Sequence, residues 1–280
     1  MKKVAIVGAG VMGAGIALSS VLAGYETVVY DINTNTLEQS KEYIKNQLNI
    51  ALSKQKINEE QKNTAWALLK FTEIFEEVRA NLIIEAVVEK LAVKQQLFQQ
   101  LEMQNDINTI FASNTSSIPI TQIASVLVNP ERLVGVHFFN PAHLMKLIEI
   151  IKGASTNDEV AQTAYTWAIS IGKTPVYAKD SPGFIVNRVA RHFYVESLKI
   201  LEENTTDIET IDSLVESMGF KMGPFKLMDL IGVETNYSVT NSMFEQFNFD
   251  PKFRPNRIQK QKVDAGFFGK KTGKGFYTYD

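Results

Sequence analysis

The chain has no cysteine. Disulfides, thiolate metal sites and thiol nucleophiles are therefore excluded. It also lacks any run near the roughly 18 apolar residues that a membrane span needs. The N-terminal MKKVAIVGAG starts basic and turns apolar, but the apolar run is short and leads straight into glycines. It reads as a buried strand and not as a secretion signal. Charge of one sign is missing too: 29 Lys+Arg against 31 Asp+Glu leaves −2. That balance offers no field for nucleic acid or an anionic membrane, so neither partner is expected. No repeat or low-complexity stretch stands out. What remains is a globular composition, 45% hydrophobic and 21% charged, over 280 residues. This is enough for one large or two smaller domains. The expected compartment is the cytoplasm.

What the chain does have begins at once. Lys3-Val4-Ala5-Ile6-Val7 is a continuous apolar strand, of the kind covered on both faces in a parallel sheet. Gly8-Ala9-Gly10-Val11-Met12-Gly13 follows, then a helical pattern over 14–23. A second strand over 26–30 ends at Asp31. The whole strand, glycine loop, helix, strand and acid unit is present. Gly8 permits the tight turn, Gly10 lets a pyrophosphate approach the backbone, and Gly13 lets the helix pack on the strand. The helix start offers N–H groups and a positive dipole end to phosphates, beside Val11 and Met12 of the glycine loop. Asp31 can accept from ribose hydroxyls, and its charge repels a 2′-phosphate. The unit thus predicts NAD and not NADP.

Residues 33–69 are long, polar and helical, with a fresh helix start at Asn58-Glu59-Glu60. They predict a helical hairpin inserted before the third strand. Its Lys41, Lys45, Lys54 and Lys56 are either simply solvated or meet a phosphate-bearing tail. Strands are expected at 71–73, 82–87 and 109–112, with a helix over 91–103 carrying Glu89 and Lys94 near its start. The strand at 109–112 runs into Ser113-Asn114-Thr115-Ser116-Ser117 before a helix near Pro119. Ligands bind outside such strand ends. Ser and Thr are also ordinary helix caps, which leaves a capping role open for one of these hydroxyls.

Residues 133–151, LVGVHFFNPAHLMKLIEII, are the stretch around which the chain is organised. Two apolar strands flank a kink at Asn140-Pro141. His137 ends the first run and Glu149 interrupts the second, 12 residues later. A hairpin-like return would bring them face to face. A buried imidazole beside a buried carboxylate is either a general base with its orienting partner or a satisfied core histidine. A helix over 158–171 and a short strand at 174–176 follow.

Asp180-Ser181-Pro182-Gly183 reads as the boundary, with Asp180 or Ser181 capping a long helix over 184–203. Helices are expected over 207–218 and 225–244, and a strand pattern returns at Gly275-Phe276-Tyr277. Asn187, early in the long helix, is either solvated or a substrate contact.

Read together, the chain resembles the L-3-hydroxyacyl-CoA dehydrogenases, including the bacterial 3-hydroxybutyryl-CoA dehydrogenases. The resemblance covers essentially the whole chain. It rests on GAGVMGAGIA (8–17), EAVVEKLAVKQQLF (85–98), FASNTSSIPIT (111–121), GVHFFNP (135–141), MKLIEII (145–151), DSPGFIVNRV (180–189), MGPFKLMDLIG (222–232) and GKKTGKGFY (269–277). It implies an α/β, Rossmann-like, mostly parallel sheet with a helical hairpin insertion over 1–180. An all-helical C-terminal domain over 181–280, usually forming a homodimer, follows. By the same resemblance His137 is the general base, Glu149 its partner, and Ser116 the hydroxyl on the substrate's 3-oxygen. Asn187 helps to place the acyl-CoA. Glu89, Lys94, Asn114, Asn140 and Lys271 fall at positions that contact NAD, and Lys54 at one that contacts CoA. The implied reaction interconverts (3S)-3-hydroxyacyl-CoA and 3-oxoacyl-CoA by hydride transfer to NAD, with a short acyl chain such as 3-hydroxybutyryl. No metal is implied, since NAD carries the redox chemistry.

Short-chain members of the family tend to be more apolar than Val189-Ala190-Arg191-His192-Phe193-Tyr194. Arg191 is solvated, serves a dimer, or meets the carboxylate of a dicarboxyl-CoA such as 3-hydroxyadipyl-CoA. Two other classes compete. NADP-linked β-hydroxyacid dehydrogenases usually employ a lysine base, and the His137/Glu149 pair and Asp31 argue against them. A non-catalytic NAD-binding protein of the same fold would have a damaged acid–base set, and here His137, Glu149, Ser116 and Asn187 are all present. No fused hydratase domain accompanies the chain, which predicts a single activity.

Overall fold

Apolar strands alternate with amphipathic helices from the first residues onward, and in the computed structural model they assemble into a single sheet. The structure describes residues 2–279. The chain divides into two compact units, Met1–Ser181 and Pro182–Asp280.

In the first unit β1 (Lys3–Val7) leads into α1 (Val11–Leu22) and β2 (Glu26–Tyr30). The helix begins at Val11, three residues before the position read from periodicity, because Gly10 caps it through its extended backbone and not through a side chain. Then come α2 (Thr34–Ser53) and α3 (Glu59–Ala67), which form the helical hairpin. The Asn33 side chain accepts from the N–H groups of Asn35 and Thr36 and so starts α2. At α3, Asn58 and Gln61 form a reciprocal capping box, which explains the fresh start seen in the sequence. The remaining elements are β3 (Leu69–Thr72), β4 (Leu82–Glu85), α4 (Leu91–Gln104), β5 (Ile110–Ser113), α5 (Ile120–Ala124), β6 (Leu133–Phe138), β7 (Leu147–Lys152), α6 (Asp158–Ser170) and β8 (Thr174–Lys179).

The eight strands lie in the order β3-β2-β1-β4-β5-β6-β7-β8. Strands β1 to β6 are parallel; β7 runs antiparallel to β6, and β8 parallel to β7. Chain order reverses between β1 and β4, the switch point at which such sheets bind ligands. The core packs Val4, Ile6 and Ile84 of the sheet against Ile16, Ala17 and Val21 of α1 and Trp167 of α6. Gly135 on β6 is required by close approach. A Cβ there would lie 2.8 Å from Ile120 Cδ1 and 2.8 Å from Ile151 Cβ.

The second unit is helical, with α7 (Val186–Glu202), α8 (Ile208–Ser217), α9 (Pro224–Ile231), α10 (Val233–Gln246) and α11 (Arg257–Asp264). Three expectations are corrected here. The helix read over 225–244 is two helices, because Gly232 adopts φ +106° and interrupts it. The strand pattern at 275–277 forms no strand; isolated bridges join Lys274 to Gly269 and to Thr278. The amides of Phe276 and Tyr277 donate instead to the buried carboxylate of Asp229 (2.8 and 2.9 Å). Finally, α7 has no side-chain cap.

Asp180, read as that cap, belongs to the first unit's sheet side. Its carboxylate accepts from the N–H groups of Ile120 and Thr121 (2.8 Å each) and from the Thr121 hydroxyl (2.6 Å). It thus caps α5, which follows Pro119 and has no capping hydroxyl of its own. Asp180→Ala is expected to cost about 1 kcal/mol, read by calorimetry as a fall of about 2–4 °C in Tm. An unchanged Tm would show that α5 does not need the carboxylate.

Candidate active site

The nucleotide end of the site is built where β1 ends. Gly8 has φ +104°, and a Cβ there would lie 2.6 Å from the Ala86 carbonyl oxygen at the end of β4. At Gly13 a Cβ would fall 1.8 Å from the Gly8 oxygen, so any side chain would force the loop off the helix. A Cβ on Gly10 would meet nothing within 4 Å, so the loop's outer side is open. Val11 is exposed and Met12 half-buried at the start of α1. The first N–H groups of a helix have no intrahelical partner, and here they face this opening. Asp31 closes the far side. Its Oδ2 accepts from the Ala9 amide (2.8 Å) and its Oδ1 from the Asn33 amide (2.9 Å). The acid that was read as a ribose acceptor therefore also ties the glycine loop to β2. Beside it a cavity of about 230 Å³ is lined by Gly8, Asp31, Ile32, Val87, Val93 and Leu97. It has apolar walls and an acid at its mouth, which fits an adenosine.

The ends of β4 and β5 carry a second cluster. Glu85 is fully buried and accepts from Lys94 Nζ (2.5 Å), the Val87 amide (2.8 Å) and the Ser113 hydroxyl (2.6 Å). Lys94 is 1% exposed and also pairs with Glu89 (3.1 Å). Its ammonium is thus enclosed by two carboxylates and not extended to a surface. Glu89 Oε1 accepts from the Thr115 hydroxyl (2.6 Å) and the amides of Ser116 (2.9 Å) and Ser117 (3.3 Å). Burial pushes the Glu85 carboxyl up, against the pull of Lys94. Burial also raises Glu89, but Lys94 and the donors on the serine loop outweigh it and hold the group below the usual range. Thr115 Oγ1 accepts from the Ile118 amide (2.9 Å), so this hydroxyl shapes the turn. Asn114 Oδ1 accepts from the Phe138 amide (2.9 Å) and so joins β5 to the end of β6.

The third cluster follows from strand register. β6 and β7 pair with His137 opposite Glu149. His137 Nδ1 lies 2.7 Å from Glu149 Oε2, with the carboxylate fully buried and the imidazole 5% exposed. A carboxylate accepts, so Nδ1 donates, and the ring's other lone pair is on Nε2. Asn140, at the turn beyond, is exposed. Glycine loop, serine loop and His137 all lie at the carboxyl ends of neighbouring parallel strands.

Lys54 is exposed at the end of α2. Asn187 and Lys271 belong to the second unit. Asn187 is half-buried in the first turn of α7, and Lys271 is exposed and ion-paired with Glu234. Arg191 corrects an expectation: it is not solvated. It is 2% exposed and donates to Asn236 O (3.0 Å), Asn236 Oδ1 (3.2 Å) and Thr240 Oγ1 (2.8 Å). Burial pushes its guanidinium down to about 10. Sequence reasoning missed Glu85. The signal was there, since it closes an apolar strand as conspicuously as Glu149 interrupts one.

A glycine cradle at a switch point, an acid after β2 and a histidine–carboxylate pair on the sheet define a nicotinamide-dependent dehydrogenase. Comparison with known proteins agrees. Residues 3–181 match the 3-hydroxyacyl-CoA dehydrogenase NAD-binding domain, and residues 183–279 match the C-terminal domain of the same enzymes. Over 281 residues the chain is 42% identical to Escherichia coli 3-hydroxyadipyl-CoA dehydrogenase, covering all of this chain but only 59% of that protein. It is 37% identical to a probable 3-hydroxybutyryl-CoA dehydrogenase of Bacillus subtilis, covering all of this chain and 98% of that one. The crystal structure of (S)-3-hydroxybutyryl-CoA dehydrogenase from Ralstonia eutropha superposes with a TM-score of 0.96 at 34% identity, covering 100% and 99% of the two chains. The chain belongs to the 3-hydroxyacyl-CoA dehydrogenase family, and its cofactor is NAD.

Asp31→Ala is expected to reduce the preference for NADH over NADPH by about tenfold or more, the worth of roughly 1.4 kcal/mol of charge repulsion. Fluorescence titration with each nucleotide checks this. An unchanged ratio would mean that Asp31 serves only the Ala9 and Asn33 amides.

Proposed function

We propose that the protein interconverts (3S)-3-hydroxyacyl-CoA and 3-oxoacyl-CoA thioesters, with a short acyl chain such as 3-hydroxybutyryl. The observation that carries this reading is the buried His137–Glu149 pair at 2.7 Å, set beside the serine loop and the glycine cradle. The first unit holds NAD. Gly8, Gly10, Gly13, Val11 and Met12 would receive the pyrophosphate and Asp31 the ribose, with Glu89, Asn114 and Asn140 adding contacts; Lys94, enclosed by Glu85 and Glu89, holds Glu89 and does not itself reach the nucleotide. Bound there, NAD would supply the acceptor for the hydride that leaves C3.

The chain's own groups move the proton. His137 Nε2 takes it from the 3-hydroxyl, and Glu149 stabilises the imidazolium that results. Ser116 donates a hydrogen bond to the oxygen as it becomes a carbonyl. In the reverse direction the imidazolium returns the proton. Asn187 positions the thioester and Lys54 meets the CoA phosphates. A positioned acid–base of this kind contributes roughly 100- to 10,000-fold, and alignment of the reacting carbons supplies the rest.

A 3-hydroxyadipyl substrate is the second reading, favoured by the name of the Escherichia coli relative. Arg191 lends it little support, because the residue is 2% exposed and its Nη1 is taken by Asn236 and Thr240. A cytoplasmic setting is part of the proposal. So is a homodimer formed through the second unit. There an apolar groove of about 830 Å³ is lined by Ile185, Val189, Phe193, Phe220, Met222 and Leu230, side chains that a second copy would cover.

With acetoacetyl-CoA, rapid loss of NADH absorbance is expected, with little loss using free acetoacetate or NADPH. His137→Ala should lose about 100-fold or more of that rate while NADH still binds. Comparable activity in the variant would sink the acid–base assignment. Sedimentation velocity at micromolar concentration should show a dimer, and a monomer would remove that part of the proposal.

A further inference from the structure

We propose that Glu85 is a positioning residue for Ser116, acting through Lys94 and Glu89. The inference rests on the role given to Ser116 above. Glu85 stands between the roots of the glycine loop and the serine loop. It closes β4, in register with Val7 before the glycine loop and with Ser113 before the serine loop.

Two routes lead from its carboxylate. The first runs through Ser113, whose hydroxyl donates to Glu85 Oε2 (2.6 Å) and accepts from the Thr115 amide (3.3 Å). The second runs through Lys94, held at 2.5 Å from Glu85 and 3.1 Å from Glu89. Glu89 then receives the amides of Ser116 and Ser117 and the hydroxyl of Thr115 on a single oxygen. Glu85 at the end of β4, Glu89 before α4, and Thr115, Ser116 and Ser117 of the serine loop are thereby tied, directly or through Glu89, to one buried ammonium.

The energetics make Glu85 the anchor of this set. An ammonium 1% exposed is tolerated only when it is fully paired. Glu85 is fully buried, whereas the Glu89 side chain is 37% exposed. Without the inner charge, Lys94 is drawn outward to its remaining partner and to water. Glu89 follows it, and the Ser116 amide loses a fixed acceptor. Catalytic groups need placement to within about half an ångström, so a small shift of this carboxylate is felt at the Ser116 hydroxyl.

The test uses the full chain in a double-mutant cycle. Glu85→Gln keeps the shape and removes the charge. The kcat for acetoacetyl-CoA reduction is expected to fall about 10- to 100-fold. In a Ser116→Ala background the same substitution should cost less than about threefold, because the group it positions is gone. An equal loss in both backgrounds overturns the proposal. Should Glu85→Gln not fold, Glu85→Asp, which keeps the charge but withdraws it by one methylene, is put through the same cycle with the same two outcomes.

Hydrogen exchange gives a readout independent of turnover. Amides over 113–118 should exchange about tenfold faster in the variant, with those of β1 and β2 unchanged. Unaltered exchange there overturns the proposal. If the unmodified protein does not reduce acetoacetyl-CoA, the functional reading fails on its own, and hydrogen exchange decides the positioning role.

Discussion

A carboxylate taken out of water has to be met by donors, and this structure depends on how it meets that constraint. Glu149 and Glu85 lie fully buried at the sheet, and Asp212 and Asp229 are almost as deeply buried in the helical unit. Each gathers donors from another element of the fold. Glu149 takes the imidazole of His137. Glu85 takes Lys94, Ser113 and the Val87 amide. Asp229 accepts from the amides of Phe276 and Tyr277 and the Tyr279 hydroxyl, and Asp212 from the amides of Phe225 and Lys226 and the Tyr277 hydroxyl. Leaving any such group unmet costs about 1–3 kcal/mol or more, so each carboxylate dictates where its partners go.

The same constraint arranges the chemistry. In the sheet, buried acids hold an imidazole in one tautomer and a serine loop of defined shape. In the helical unit they latch the C-terminal segment that carries Lys271. The His137 imidazole and the serine loop thus rest on strand ends and on a carboxylate network that holds them in place. Family membership and this geometry point to the same reaction from separate directions. One rests on similarity along the whole chain, the other on where a proton acceptor and a hydroxyl stand relative to a nucleotide cradle.

Much of this was legible in the residues. The glycine loop, Asp31, the capping box at Asn58 and the spacing of His137 and Glu149 are local signals, with reasons that hold in any context. Other features were not. Asp180 looked like the cap of the helix that follows it, yet it caps α5, sixty residues earlier in the chain. Arg191 looked like a surface cation and is buried against Asn236 and Thr240. Gly232 stood in a helical pattern, and only its left-handed backbone shows that the helix stops. In each case the deciding partner lies far along the sequence or the deciding quantity is a dihedral angle.

By itself the sequence determined most of the order of elements, the nucleotide unit, the family and the spacing that sets His137 opposite Glu149. These follow from periodicity, from the steric demands of glycine and from motifs confined to short windows. Only the tertiary structure decided which donors each buried carboxylate would take: that Lys94 turns inward to Glu85, that Glu89 gathers the serine loop, and that Asp229 claims the amides of a segment patterned as a strand. Desolvation is a property of the packed interior, and no residue carries its burial in its name.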